Sequence, residues 1–135
     1  MPIGTVTGET NRSRVRQLAA AGALFALTGV AAGAFGAHAL KSWLPSERIS
    51  VFDTAVRYQG LHALALFACA WVLQNWPSRI ALAAGVCFAS GIVLFSGSLY
   101  LVALLGEPRF GIATPFGGLA FLAGWALLAV ATLKP

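Results

Sequence analysis

Three long apolar runs and most of a fourth decide what this chain can fold into. Residues 18–40, 61–76, 80–105 and 112–133 are almost free of charged side chains. A helix needs about 20 apolar residues to cross the hydrocarbon of a bilayer. Inside hydrocarbon every backbone N–H and C=O must find its partner within the protein, which leaves helices and closed barrels. The runs are apolar on every face, so the polar-in, apolar-out alternation of a barrel strand is missing. The expected fold is all-α: an integral membrane four-helix bundle. Four spans use most of the 135 residues, so residues 17–135 read as one transmembrane domain. A soluble domain carries about 25% charged residues. Here the charged fraction is 10% and the mean hydropathy +0.81.

The segments between the runs carry the punctuation. Residues 1–16 read as a flexible, basic amino-terminal segment with Arg12, Arg14 and Arg16. Arginines ahead of an apolar run resemble a signal peptide, and Ala37-His38-Ala39 mimics a cleavage site. The run is too long for a signal h-region of about 7–15 residues, so an uncleaved first helix is expected. That helix contains Gly22, Gly29, Gly33 and Gly36; Gly29 and Gly33 form a GxxxG pair, and Gly22 with Ala26 extends a small-residue stripe. In lipid such stripes let helix backbones approach closely, here for packing inside the bundle.

Lys41 to Gln59 is the one sizeable polar connection. Pro45, Ser46 and Glu47 form a helix start. Ile49, Phe52 and Val56 then predict a short amphipathic helix between helices 1 and 2, lying on the surface or running on into helix 2. Asp53 and Arg57, four residues apart, have the spacing of a pair. Trp76-Pro77-Ser78-Arg79 and Gly106-Glu107-Pro108-Arg109 read as turns. Gly97, Gly117 and Gly118 are expected to be close-packing positions in helices 3 and 4. A faint repeat links Gly22-x-x-Phe25-Ala26 with Gly85-x-x-Phe88-Ala89, and Phe67-x-x-x-Trp71 with Phe121-x-x-x-Trp125. It implies two similar hairpins.

The net charge is +5, but the basic residues are dispersed singly apart from the amino-terminal three. No aromatic–basic interleaving marks a nucleic-acid surface. The charges read as topology signals and headgroup contacts. The amino-terminal cluster places both termini in the cytoplasm. Cys69 and Cys87 lie within the spans with no CxxC motif or neighbouring histidine, so no metal site is expected.

Up-and-down threading brings the polar side chains in or beside the runs to one membrane face. They are His38, Asp53, Arg57, Tyr58, Gln59, His62, Ser96, Ser98, Tyr100 and Thr114. Polar groups at membrane depth are costly, tend to face the bundle interior and must find hydrogen-bond partners. Three readings fit the cluster. It is a hydrogen-bonded plug that fixes helix register, or a site for a small solute or proton using His38 and His62, or a histidine-ligated haem or metal site. The plug carries the most weight. Catalysis has little support, because no G-x-S-x-G elbow, HExxH or paired intramembrane acids are present.

Four ordered blocks carry a resemblance. They are Gly33-Ala34-Phe35-Gly36-Ala37-His38-Ala39-Leu40, Thr54 to Leu66 (TAVRYQGLHALAL), Leu94 to Leu101 (LFSGSLYL), and Thr114-Pro115-Phe116-Gly117-Gly118 with Gly124-Trp125. Over residues 18–133 the chain resembles the small membrane proteins of "domain of unknown function 423", which include transmembrane protein 256. The resemblance implies a multi-pass protein of the bacterial inner membrane and brings no reaction, substrate or cofactor. The resulting expectation is a non-enzymatic structural or accessory component of a membrane assembly. A transporter and a haem- or metal-binding redox subunit are the alternatives. Its partners would be the lipid bilayer and other membrane-protein subunits or further copies of itself; neither nucleic acid nor a cofactor is expected. Cysteine labelling at position 48 and at position 79 is expected to report opposite sides of the membrane. Labelling from the same side would contradict four spans.

Overall fold

A computed structural model describes the backbone of residues 4–133 and the side chains of residues 8–133. Helix α1 runs Gly4–His38, α2 Ser46–Asn75, α3 Arg79–Gly91, α4 Gly97–Leu105 and α5 Thr114–Leu133. A π turn, Ile92–Ser96, joins α3 and α4 into one rod, and the Gly97 N–H reaches back five residues to Ile92 O. The rod α3–α4 therefore makes one span, and the four spans are long and apolar enough to cross a membrane. No strand occurs among the described residues. Large apolar side chains such as Leu24, Leu27, Val30, Leu64, Leu119 and Leu122 cover the outside. That is an inverted arrangement for water and the expected one for lipid.

Local chemistry sets each boundary. Extended Pro45 (φ −65°, ψ 157°) precedes α2. The Ser78 hydroxyl accepts the Ile80 N–H at 3.1 Å and caps α3. Gly106, at φ 71°, ends α4 in the left-handed conformation that a side chain would strain. There the Arg48 guanidinium donates to Ala103 O at 2.6 Å and to Leu104 O at 2.7 Å. This cross-helix cap satisfies carbonyls that the end of α4 leaves without helical partners.

Two hairpins make the bundle. α1 lies along α2, α5 lies along α3, and α2 also packs on α3 and α4. The main core joins Leu18, Leu66, Cys69, Phe88, Phe121 and Leu128. A second cluster of Leu40, Phe52 and Ala103 closes the end at which α2 begins.

Glycines seat the aromatics. A Cβ at Gly36 would lie 2.9 Å from the Phe52 ring, one at Gly33 3.3 Å from Val56, and one at Gly22 2.9 Å from Ala63 O. The α1 stripe is thus spent inside the chain, on α2. Across the other hairpin, a Cβ at Gly124 would meet the Phe88 ring at 2.7 Å and one at Gly91 the Phe121 ring at 2.5 Å. Gly117 faces the backbone of Phe95 directly.

Several expectations change. Of the two placements expected for the amphipathic segment, the structure has the second and shows no separate helix: residues 46–59 are the opening turns of α2. No proline or glycine interrupts the helix before Gly60, so nothing bends the chain onto the surface. The segment set apart at the amino terminus is helical from Gly4 and continuous with the first span; its residues 1–3 lie outside the described residues. Gly97 is not a packing position, since a Cβ there meets nothing within 4 Å, and Gly118 approaches Phe95 only at 3.9 Å.

Gly117→Ala is therefore expected to destabilise the protein by about 1–3 kcal/mol through overpacking, whereas Gly97→Ala should change stability by less than about 0.5 kcal/mol or raise it. Thermal unfolding of the two variants in the same detergent measures the difference.

Candidate functional site: a polar layer between the helices

The start of α2 at Ser46 moves the polar residues. His62 lies 16 residues into the helix, or about 24 Å along its axis, where the sequence reading had it begin helix 2 at the membrane face. The expected single layer at the outer ends accordingly divides. His38 and Asp53 are exposed toward the end where α2 begins, and Arg57 is exposed on the outside of α2 two residues before Gln59. Gln59, His62, Ser96 and Ser98 are buried deeper in the bundle.

Gln59 is the centre of the deeper group. Its Nε2 donates to Phe25 O at 2.9 Å and to Thr28 Oγ1 at 2.8 Å, both on α1. The Tyr100 hydroxyl of α4 donates to its Oε1 at 2.8 Å. One amide thus uses three of its four hydrogen-bonding positions to tie three helices together. Thr28 fits this role because its own proton goes to Leu24 O at 2.9 Å, leaving its oxygen to accept. Gly29 faces the Gln59 side chain, and a Cβ there would make ordinary contact with it at 3.5 Å. Tyr100 rests on Phe52, with ring centroids 4.9 Å apart.

One turn further along α2, His62 is 2% exposed. Its Nδ1 pairs with Tyr58 O at 2.7 Å, and its Nε2 accepts the Trp125 indole N–H at 3.2 Å. A carbonyl can only accept and an indole N–H can only donate, so the neutral, Nδ1-protonated tautomer satisfies both contacts. The ring lies flat on Phe121, with centroids 3.5 Å apart and planes 5° from parallel. Tyr58 contributes ring contacts to Phe95 and Phe121, at 4.5 and 6.1 Å.

Ser96, inside the π turn, donates to Ala55 O at 2.8 Å and is fully buried. Ser98 donates to Phe95 O at 2.9 Å, and its oxygen lies 2.6 Å from the Thr114 hydroxyl. The Ser98 proton is already committed, so Thr114 is the donor. No buried side-chain nitrogen or oxygen among the described residues lacks a partner.

Three expected members stay apart from this network. Gly36 faces Phe52, whereas Gly29 faces Gln59, so His38 stands well above His62 along the helix pair. The two histidines therefore do not converge, and both nitrogens of His62 are engaged. Asp53 and Arg57 make no ion pair; Arg109 with Glu107, at 3.7 Å, is the one pair among the described residues. Both side chains are exposed, and an exposed ion pair gains little. Cys69 and Cys87 are free thiols. No group of three or more His, Cys, Asp or Glu side chains converges among the described residues.

Sequence reasoning missed Thr28, Trp125, Phe121 and Arg48. Thr28 carried a signal, as the one hydroxyl inside the first apolar run. Trp125 and Phe121 stood in the repeat, but nothing there paired them with His62. The role of Arg48 depends on a tertiary contact with α4.

Beside the layer a crevice of about 420 Å³ opens between α1 and the π turn, lined by Phe25, Thr28, Ala32, Gln59, Val93 and Tyr100.

The family model described as "Protein of unknown function (DUF423)" matches residues 32–118. The UPF0382 membrane protein YwdK of Bacillus subtilis is 41% identical over 115 residues, covering 84% of this chain and 93% of that protein. The UPF0382 membrane protein SH2409 of Staphylococcus haemolyticus is 41% identical over 113 residues, covering 84% and 92%. The UPF0382 inner membrane protein YgdD of Escherichia coli K12 is 41% identical over 105 residues, covering 78% and 80%. No solved structure matches the chain.

His62→Ala removes a stacked ring and leaves the Trp125 N–H without its acceptor. It should cost about 2–4 kcal/mol, against about 1 kcal/mol for Cys69→Ala. Thermal unfolding compares them, and equal stability of the two variants would contradict the assigned role of His62.

Proposed function

This chain belongs to the DUF423 family of membrane proteins, and we propose that it acts as a non-enzymatic structural component of a larger membrane assembly. The observation that carries this reading is the state of the polar layer. Every side-chain donor of Gln59, Ser96 and Ser98 and both ring nitrogens of His62 are engaged with this chain's own helices. A group that binds a solute or relays a proton needs a free donor or acceptor facing a path. Groups that fasten helices need the opposite. A haem or metal would have to take a nitrogen of His62 from Tyr58 or Trp125, and a transport path would have to run past the bonded layer, between copies of the chain.

The crevice beside Gln59 supports assembly. Ala32 and Thr28 are small, and Gly97 beside them has no atom within 4 Å of where its Cβ would be. Small residues exposed to lipid are the usual seat for the backbone of another transmembrane helix. On this reading the chain is a rigid wedge in the inner membrane with both termini in the cytoplasm, and the crevice receives a helix of its partner.

A photo-crosslinking amino acid at Val93, which lines the crevice and is 60% exposed, tests this in intact cells. The expected product is a discrete adduct with one membrane protein, lost when Gly97→Leu fills the crevice. Adducts with lipid alone would reject the reading.

A further inference from the structure

α1 is 35 residues long, roughly 50 Å, against a hydrocarbon core of about 30 Å. The apolar run begins at Leu18, so the amino-terminal turns stand outside the hydrocarbon. They do not stand alone. Asn11 Nδ2 donates to Leu73 O at 3.2 Å, holding this arm of α1 against the end of α2. The arm and the α2–α3 turn together border an open cavity of about 330 Å³, lined by Asn11, Arg14, Leu73, Pro77, Ser78 and Arg79.

Two arginines from distant parts of the sequence therefore face one cavity. Neither guanidinium has an ion-pair or hydrogen-bond partner among the described residues, and the same holds for Arg12 and Arg16 on the next turns of the arm. Glu9 is the one acid on the described part of the arm, and it makes no ion pair. Arg48 and Arg109, near the opposite face, behave differently: one caps α4 and the other pairs with Glu107. Arg14 lies one turn before Leu18, or about 6 Å outward, which is the level of the headgroups. Leu73, buried at 2% exposure, and the exposed Pro77 also line the cavity.

We propose that this cavity is a binding site for the phosphodiester headgroup of an anionic phospholipid. Arg14 and Arg79 hold the phosphate oxygens, and Asn11 and Ser78 lie within the same wall. Guanidinium groups match phosphate geometry with paired N–H donors. A basic pocket between helices at a membrane face is the recurring seat for such headgroups. The exposed Pro77 ring beside the two arginines offers apolar contact to the glycerol. The bound lipid would splint the α1 arm to the α2–α3 turn.

Native mass spectrometry of the detergent-purified full chain with phosphatidylglycerol tests the site. The wild type should retain one lipid per chain. Arg14→Gln with Arg79→Gln should weaken retention at least tenfold. Lys41→Gln with Arg109→Gln removes the same charge from the opposite face and should leave it unchanged. All four side chains are exposed, so the fold should survive, and thermal unfolding checks that it does. Equal retention by the two double variants would overturn the site in favour of general attraction to positive charge. Retention of phosphatidylcholine as strongly as phosphatidylglycerol would overturn the requirement for an anionic lipid. Displacement of the lipid by millimolar inorganic phosphate would overturn the lipid as ligand and assign the two arginines to a free anion.

Discussion

Hydrocarbon offers no water, so a polar side chain placed between these helices must be satisfied by another part of the chain. Gln59 is where that constraint is met, and the rest of the arrangement follows from it. Its amide needs a carbonyl and a hydroxyl on α1 and a donor on α4. Phe25, Thr28 and Tyr100 supply them at 2.8–2.9 Å. A shift of α1 by one turn would carry both of its contributions about 5 Å away. In water such a slip costs little, because solvent replaces the lost partners. Here it leaves donors and acceptors bare, so the polar contacts select register among packings of similar van der Waals quality.

Those packings are set by glycine against aromatic rings. Lipid tails are as apolar as the helix faces, so burial alone gives little reason for helices to associate. Close contact does, and it requires removal of side chains. Phe88 and Phe121 enter the notches left by Gly124 and Gly91, and Phe52 enters that of Gly36. Each hairpin thus has its own interlock. The hairpins are then joined through α2, where His62 lies on Phe121 and bonds Trp125. The outer helix α1 has few contacts beyond α2, which is why the three-way bond of Gln59 matters most for that helix.

The four spans and the glycine stripe of α1 were legible in the sequence, because length and hydropathy are local and a bilayer accepts few alternatives. The membership of the polar layer was legible as composition: Gln59, His62, Ser96, Ser98, Tyr100 and Thr114 all have partners in it or beside it. Its depth was not, because Arg48, Asp53 and Arg57 made the opening turns of α2 look like a surface segment. Charged residues at a helix end can reach the interface along their own side chains, so their presence does not end a helix. Gly97 shows the converse error. A glycine in an apolar helix signals close approach only if another helix is there, and the face it occupies belongs to the crevice.

The π turn explains why that crevice sits where it does. An α-helix advances about 100° per residue, and a turn closed five residues apart holds one residue more than an α turn. Within the turn Ile92–Ser96 the neighbouring residues Phe95 and Ser96 serve different helices. Phe95 lies on Gly117 of α5, while Ser96 bonds Ala55 of α2. The wider turn lets the rod grip both helices at one level, and it sets the direction in which α4 continues. Tyr100 then reaches Gln59, while Val93 and Gly97 are left facing outward beside α1. The contact between Tyr100 and Gln59 and the opening beside it are consequences of the same backbone irregularity. A substitution that restored a uniform α-helix there would disturb the register of Tyr100 and the crevice together.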